Sequence, residues 1–517
     1  MSVPHTEVFF GVAFEGADII FHQEGLNHRN SVRKEEFRPQ EGNYIHGKFE
    51  DDSFVIRTDP FGYCKLYVYK NGGEWILSDS YYEVLRFAKS KHFPLTPNIG
   101  YVQSQKIGGM FGDQFTSFKT AFDEIELVPH WFSARISLET NTLSFSSTQK
   151  TTETLPYMES LVRFLNTSRN RMNTWICHDQ FVISSDVTGG IDSRVPISMI
   201  SSLGLADKVS LFSKPGDHEK LNLDRDISSE IARTFGFVHT QNYPNFSRTI
   251  TYDVWKQRCL GVYPVFFVRS DYPFSQQRLT GRAGELYRNQ YRQFWKGTPE
   301  QMIESLRPRF HSSRGFQKAK SDFMQTCDVL EKGKNPNLEI ALAHYRAFRN
   351  RYHFGQDMSL EFYSSVEFCE SFDSICPIQN DDFFAVYHDM ISMLAPEFLE
   401  IKFDSSEKFF SGHWPRFDPN KKLSSVEKGT VFLGNQPEFL FENPVDERGR
   451  LRAIQLCTDI FSAIQSASEN RELLDFLSEH GVEFVWDSIK RPEDLFSFGR
   501  KFKPIDLLIL FDSFGPF

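Results

Sequence analysis

The stretch Phe181-Val182-Ile183-Ser184-Ser185-Asp186-Val187-Thr188-Gly189-Gly190-Ile191-Asp192-Ser193-Arg194 starts β-rich and apolar, passes two glycines, and runs into a helix-like segment, Val195 to Leu203. That is a strand, a tight turn and a helix. Gly189 and Gly190 let backbone N–H groups approach an anion closely, and Thr188 and Ser193 add hydroxyl donors. The helix that follows points its positive end at the same spot. Asp192 places a carboxylate beside that anion site, which suits a bridging Mg²⁺. A lone Gly-Gly is also what an ordinary βα turn uses.

Downstream the pattern alternates. Lys208 to Ser213 reads as a second strand, and Asp224 to Thr234 as a helix with Gly236 just past its end. Phe237 to Gln241 is a third strand, Tyr252 to Cys259 a helix, and Gln277 to Thr280 a fourth strand. Such alternation predicts an α/β doubly wound parallel sheet that binds ligands at the C-terminal strand ends. The fourth strand runs into Gly281-Arg282-Ala283-Gly284-Glu285, which sets a carboxylate where it can share a metal with Asp192. A loop acid without a role is the other reading of Glu285. Residues 297–430 look mainly helical, and the last ninety or so read as further helices ending in the apolar run Ile505 to Phe511.

Upstream, residues 8–150 are β-rich. Val8 to Phe14 and Ala17 to His22 are short apolar strands, and Phe54 to Arg57 leads into the turn Asp59-Pro60-Phe61-Gly62. Leu66 to Tyr69 meets Trp75 to Ser78 across Asn71-Gly72, a hairpin signal. This half predicts an antiparallel α+β domain, joined to the second by the Thr/Ser-rich residues 146–158. Gly42 to Lys48 has the spacing of a Walker loop, but Phe49 follows where Ser or Thr should hold Mg²⁺, and strands surround it.

The 517 residues allow two to four domains with sizeable cores. A net charge of −10 argues against a nucleic-acid surface as the main function, and the basic stretches Arg288 to Lys296 and Lys490 to Lys503 read as solvated faces. Seven scattered Cys, none in a Cys-x-x-Cys pair, predict neither a zinc site nor a redox motif and fit a reducing cytosol. The start lacks a signal-peptide pattern, and no run approaches the ~18 apolar residues of a membrane span. A cytoplasmic protein is expected.

The hexapeptide Thr188 to Ser193 resembles the pyrophosphate loop Ser-Gly-Gly-x-Asp-Ser of N-type ATP pyrophosphatases, in particular the synthetase domain of the asparagine synthetase family, with Thr188 in place of the first Ser. Leu279 to Leu286 resembles that family's second signature. The resemblance covers roughly residues 8–410. It implies ATP and Mg²⁺ as cofactors, a loop from Thr188 through Gly189, Gly190, Ile191 and Asp192 to Ser193 for pyrophosphate, and Asp192 and Glu285 on the metal. It also implies that Leu211, Phe212 and Ser213 cradle adenine, and that Gly281 approaches the nucleotide. Arg282 stands where the family often carries Glu or Tyr near the reacting acyl group. An arginine there is no general base at pH 7; clamping a carboxylate or phosphate and simply facing solvent stay open as readings. Glu370 to Phe383, with Pro377 and Asp381, resembles the part that closes over the substrate. A downstream lysine contacts pyrophosphate in the family, and Lys402 and Lys408 are the candidates.

Gly42 to Phe49, Asp59 to Gly62, Leu66-Tyr67, Ser78 to Ser80 and Thr116 to Pro129 resemble the family's N-terminal, Ntn-type glutaminase domain. That domain uses an N-terminal Cys as nucleophile. Here Ser2 stands at position 2, His5 reads as a surface residue, and the first Cys is Cys64. A glutaminase fold without glutaminase activity follows. The expected domains are a degenerate glutaminase-like domain over 1–150, an ATP-pyrophosphatase synthetase domain over 151–430, and a helical extension over 431–517 packed on the synthetase domain. The expected activity is adenylation of a substrate carboxylate and its coupling to an amine. The substrate is a small molecule or peptide carrying both groups, as in β-lactam synthetases and lasso-peptide cyclases. The alternatives are an amidotransferase fed with free or partner-supplied ammonia, and a non-catalytic nucleotide-binding scaffold. Neither nucleic acid nor membrane is expected as a partner; oligomers are open.

Overall fold

The computed structural model describes residues 7–104, 116–147, 155–213, 219–240, 252–253, 256, 276–280, 295, 297–333, 340–349, 360–361, 384–408, 423–434, 447–479 and 490–492. Short runs rich in apolar and β-branched residues build the first sheet. Strands β1 (Glu7–Glu15), β2 (Asp18–Phe21), β3 (Glu41–Glu50) and β4 (Ser53–Thr58) are joined by β8 (Phe132–Ser137) and β9 (Leu143–Ser147) in the order β2-β1-β3-β4-β8-β9, every pair antiparallel. Strands β5 (Tyr67–Asn71), β6 (Glu74–Ser78) and β7 (Ile125–Leu127) form a separate three-stranded antiparallel sheet. The Walker-like spacing Gly42 to Lys48 lies inside β3, paired with β1 along its whole length and with β4 from Ile45 on, so its backbone is committed to the sheet. The β5–β6 turn is Gly72-Gly73, one residue beyond the expected Asn71-Gly72. Both glycines have positive φ, +56° and +96°, and such a two-residue turn matches the strand twist only with both centres there.

The second sheet is parallel throughout. Its strands are β10 (Val182–Asp186), β11 (Val209–Phe212), β12 (Val238–His239), β13 (Gln276–Thr280) and β14 (Leu360–Glu361), in the order β12-β11-β10-β13-β14. The chain moves outward from β10 through β11 to β12, then returns to the other side of β10. The order reverses between β10 and β13, the point at which open sheets of this kind bind ligands, at the carboxyl ends of the strands. The mixed α/β architecture, antiparallel sheet first and parallel sheet second, matches the sequence reading; β14 lies in a stretch that had read as helical.

Helices α1 (His22–Val32) and α4 (Tyr157–Ile176) had no counterpart in that reading. α1 is polar and buries little beyond Gly25, Leu26 and Arg29, so apolar periodicity barely marks it. α4 starts inside the expected linker. It buries Leu161, Phe164, Leu165, Met172 and Trp175, at spacings that put them on one stripe. Its Trp175 ring meets Phe14 and Phe21 of the first sheet and Phe181 before the second, with centroids 6.3, 5.6 and 5.7 Å away. One apolar cluster therefore runs from Val12 and Phe21 through Trp175 to Ile183 and Leu211.

The remaining helices include α2 (Tyr81–Ser90), α3 (Ile99–Ser104), α5 (Ile191–Ser202), α6 (Glu219–Phe235), α7 (Pro299–Ser305), α8 (Ser313–Gly333), α9 (Ile340–Arg349), α10 (Ala385–Leu394), α11 (Glu447–Glu469) and α12 (Arg471–Glu479). α3 and α8 cross closely: a Cβ on Gly100 would lie 2.6 Å from the Ala319 nitrogen, and Asn98 donates to the buried Asp322 at 2.9 Å. Residues 431–432, at the start of the expected C-terminal extension, form β15 (Val431–Phe432), which pairs in parallel with β2 at the edge of the first sheet. Among the described residues no helix is long and apolar enough to cross a membrane. Ser2, His5, Ile505 to Phe511 and the segment Glu370 to Phe383 lie outside the described residues.

Candidate functional site

The loop after β10 sits at the point where strand order reverses. Thr188 and Ser193 face each other across it, with hydroxyl oxygens 3.3 Å apart. The Ser193 hydroxyl accepts from the Thr188 N–H at 3.2 Å, and the Thr188 hydroxyl accepts from the Gly190 N–H at 3.1 Å. The Gly189 N–H donates to Asp224 Oδ1 at 2.7 Å. Gly190 is the N-cap of α5, so the helix starts at Ile191, four residues earlier than expected. Ile191, Asp192 and Ser193 thus form its first turn, where the first N–H groups have no partner within a helix. Asp192 is half-buried on that turn, where an acidic side chain complements the helix dipole.

Neither loop glycine needs a positive φ. Gly189 is required by close approach: a Cβ there would stand 2.5 Å from Asp404 Cβ and 2.9 Å from the Asp404 nitrogen. The Asp404 N–H donates to the Gly189 carbonyl at 3.0 Å. A segment some two hundred residues away in sequence is therefore seated directly on the loop.

That segment separates the two candidate lysines. Lys408 Nζ donates to Asp404 Oδ1 and lies 4.0 Å from where a Cβ on Gly190 would be. Lys402 is exposed, and the fold uses its carbonyl, which accepts from Arg194. Lys402 therefore gives way to Lys408 as the cation at the loop. His388 of α10 donates through Nε2 to the Lys408 carbonyl at 3.0 Å, which fixes its tautomer. Burial, with the nearby Arg194 charge, pushes its pKa below the usual histidine value.

Leu211 and Phe212 are buried, and their carbonyls are engaged by the Thr240 and Val187 N–H groups. Ser213 lies just past the end of β11. Its hydroxyl donates to the Val187 carbonyl at 2.9 Å. Gly281, Arg282 and Glu285 lie outside the described residues. Among the described residues no cluster of three or more His, Cys, Asp or Glu is placed to hold a metal.

Three contributors had no functional reading in the sequence. Asp224 had read as a helix start, whereas α6 begins at Glu219 and Asp224 reaches the loop from its second turn. Arg194 and Asp404 carry no local motif; tertiary contact alone brings them in. Cys64 is buried, with Sγ 2.9 Å from Asn43 Oδ1 and its N–H on Asp59 Oδ2.

No family model matches the chain, and no curated protein matches it.

Proposed function

We propose that the chain is an ATP-dependent, AMP-forming carbon–nitrogen ligase related to asparagine synthetases, with an ATP-pyrophosphatase synthetase domain and a glutaminase-like N-terminal domain that lacks glutaminase activity. The observation that carries the reading is the meeting, at the switch point of a parallel sheet, of the Thr188–Ser193 loop with Lys408. Two hydroxyls, a helix N-terminus and an ammonium converge there, which is a donor set for pyrophosphate.

The residues present fit ATP with Mg²⁺. Mg²⁺ is commonly held by one or two carboxylates together with phosphate oxygens, and Asp192 supplies the described carboxylate, with Glu285 as the second in this reading. The metal neutralises phosphate charge when bound. Thr188, Ser193 and Lys408 hold the β- and γ-phosphates. A substrate carboxylate oxygen attacks the α-phosphorus, the bond to the β-phosphate breaks, and pyrophosphate leaves as an acyl-adenylate forms. An amine then attacks the acyl carbon and releases AMP. The protein's contribution is positioning and charge neutralisation.

The test is ATP–pyrophosphate exchange across a panel of amino-acid and peptide carboxylates, with wild type beside Asp192→Asn. The substitution keeps shape and removes charge. Exchange should fall by about 10²-fold or more. Undiminished exchange in Asp192→Asn would place the metal elsewhere, and absence of exchange with every acid would favour a scaffold.

A further inference from the structure

Arg194 follows Ser193 on α5, and its side chain is fully buried (0% exposed). A buried guanidinium needs its donors satisfied. Here backbone carbonyls take three of the Nη donors, while Nε has no hydrogen-bond partner among the described residues. Nη1 donates to the Phe398 carbonyl at 2.9 Å and the Ile401 carbonyl at 2.6 Å, and Nη2 donates to the Lys402 carbonyl. The guanidinium carbon lies 3.6 Å from the centroid of the Phe403 ring. These carbonyls end a single 3-10 turn, Pro396–Leu399, and the residues after it. Carbonyls at a helix end lack intrahelical partners, and a planar fork can serve three of them at once, which a lysine's point charge does not do.

The segment thus anchored runs straight to the loop. Asp404 follows Phe403, donates its N–H to Gly189, and holds Lys408 Nζ through its carboxylate. His388 holds the Lys408 carbonyl. We propose that Arg194 is a positioning residue: by binding the carbonyls of Phe398, Ile401 and Lys402 it sets the Phe403–Lys408 segment on the loop and so delivers the Lys408 ammonium to the bound phosphates. Arg194 touches no substrate in this role. The placement of Lys408 stands on geometry alone; its consequence for phosphate binding rests on the reading of Thr188–Ser193 as a pyrophosphate site.

Two measurements test it. The first is the rate at which an amine-reactive reagent labels individual lysines, read by mass spectrometry in wild type, Arg194→Lys and Phe403→Leu. Lys408 should be labelled severalfold faster in both variants, with Lys119 and Lys320 as fold controls that stay unchanged. An unchanged Lys408 rate overturns the proposal. If the control lysines also speed up in Arg194→Lys, the comparison is decided on Phe403→Leu, which keeps the arginine and an apolar side chain. The second is the affinity for inorganic pyrophosphate with Mg²⁺. Arg194→Lys should weaken it by about tenfold in wild type and by nothing further in a Lys408→Met background. Equal losses in both backgrounds show that Arg194 acts without Lys408 and overturn the proposal. Failure of wild type to bind pyrophosphate, with Lys408 labelling changed as expected, strikes the functional reading and leaves the placement standing.

Discussion

Gly189 is held against the backbone of Asp404, and that makes it a sharp probe of the loop. A methyl group there meets Asp404 Cβ, the Asp404 nitrogen and Ile227 Cδ1, all within 3 Å. Backbone cannot step aside as a flexible side chain does. Gly189→Ala should therefore cost ~1–3 kcal/mol of stability, as overpacking does, and should weaken pyrophosphate binding by lifting the Lys408 segment. Urea unfolding and pyrophosphate titration check the two effects; full affinity with unchanged stability would mean the segment is not seated there. His344 gives the second residue-level prediction. It is buried against Trp295, Phe323 and Phe348, donates through Nε2 to the Thr116 carbonyl, and burial lowers its pKa from 6.5 to about 4. The folded protein thus keeps it neutral while the unfolded chain takes up a proton below 6.5. Its stabilising contribution is complete above pH 6.5 and is lost as pH falls toward 4, a change of ~3 kcal/mol. His344→Gln keeps a donor but does not titrate, so its urea midpoint should vary less between pH 7 and 4. Parallel pH curves would show that His344 does not carry this dependence.

At the scale of elements, α4 and the extended residues 423–434 work together. Asn166 and Asn170 accept from the Ser424 and Glu427 N–H groups at 3.0 and 2.9 Å, and Thr174 accepts from the Gly429 N–H at 2.7 Å. The strap then enters the first sheet as β15. Polar side chains on one helix thus replace strand partners for a segment without regular structure of its own. Thr174→Val removes one acceptor at near-constant volume and should cost ~1 kcal/mol. Limited proteolysis should then cut within 423–430 faster than in wild type. An unchanged cleavage rate would show the Thr174 bond to be dispensable. The same distribution shows why parts of the fold were legible and parts were not. β1, β10 and the β5–β6 hairpin announce themselves by short apolar, β-rich runs and, for the last two, by turn glycines. β15, two residues long, exists because α4 and β2 hold it, and no pattern in Val431-Phe432 marks a strand edge.

At the scale of the molecule, the two sheets are not independently cored. Ile19 and Phe21 of the first sheet belong to the same buried cluster as Ile183 and Leu211 of the second, and Arg171 of α4 bonds both the Gly16 carbonyl and the Glu41 carboxylate. A fragment of residues 1–150 would leave Phe14 and Phe21 without Trp175 and Phe181, and β2 without β15. Exposed apolar area of that size is destabilising at ~25 cal/mol per Å². Such a fragment should bind a hydrophobic dye and unfold without a sharp urea transition, whereas the full chain should not bind the dye. A cooperative, dye-free 1–150 fragment would establish the first sheet as an autonomous domain.

Local chemistry in the chain determined that a strand, an anion-competent loop and a helix follow one another at 181–203, because side-chain period and turn glycines act over a few residues. It determined likewise that an antiparallel half precedes a parallel one. It placed the loop residues together but left Lys402 and Lys408 equal, since both are lysines six residues apart in an unpatterned segment. Only the tertiary structure separated them. Arg194 draws in the Lys402 carbonyl, Gly189 leaves room for Asp404, and Asp404 turns Lys408 toward the loop. Those are contacts across some two hundred residues, and they depend on how α5 and α10 pack rather than on any period or motif that a sequence can display.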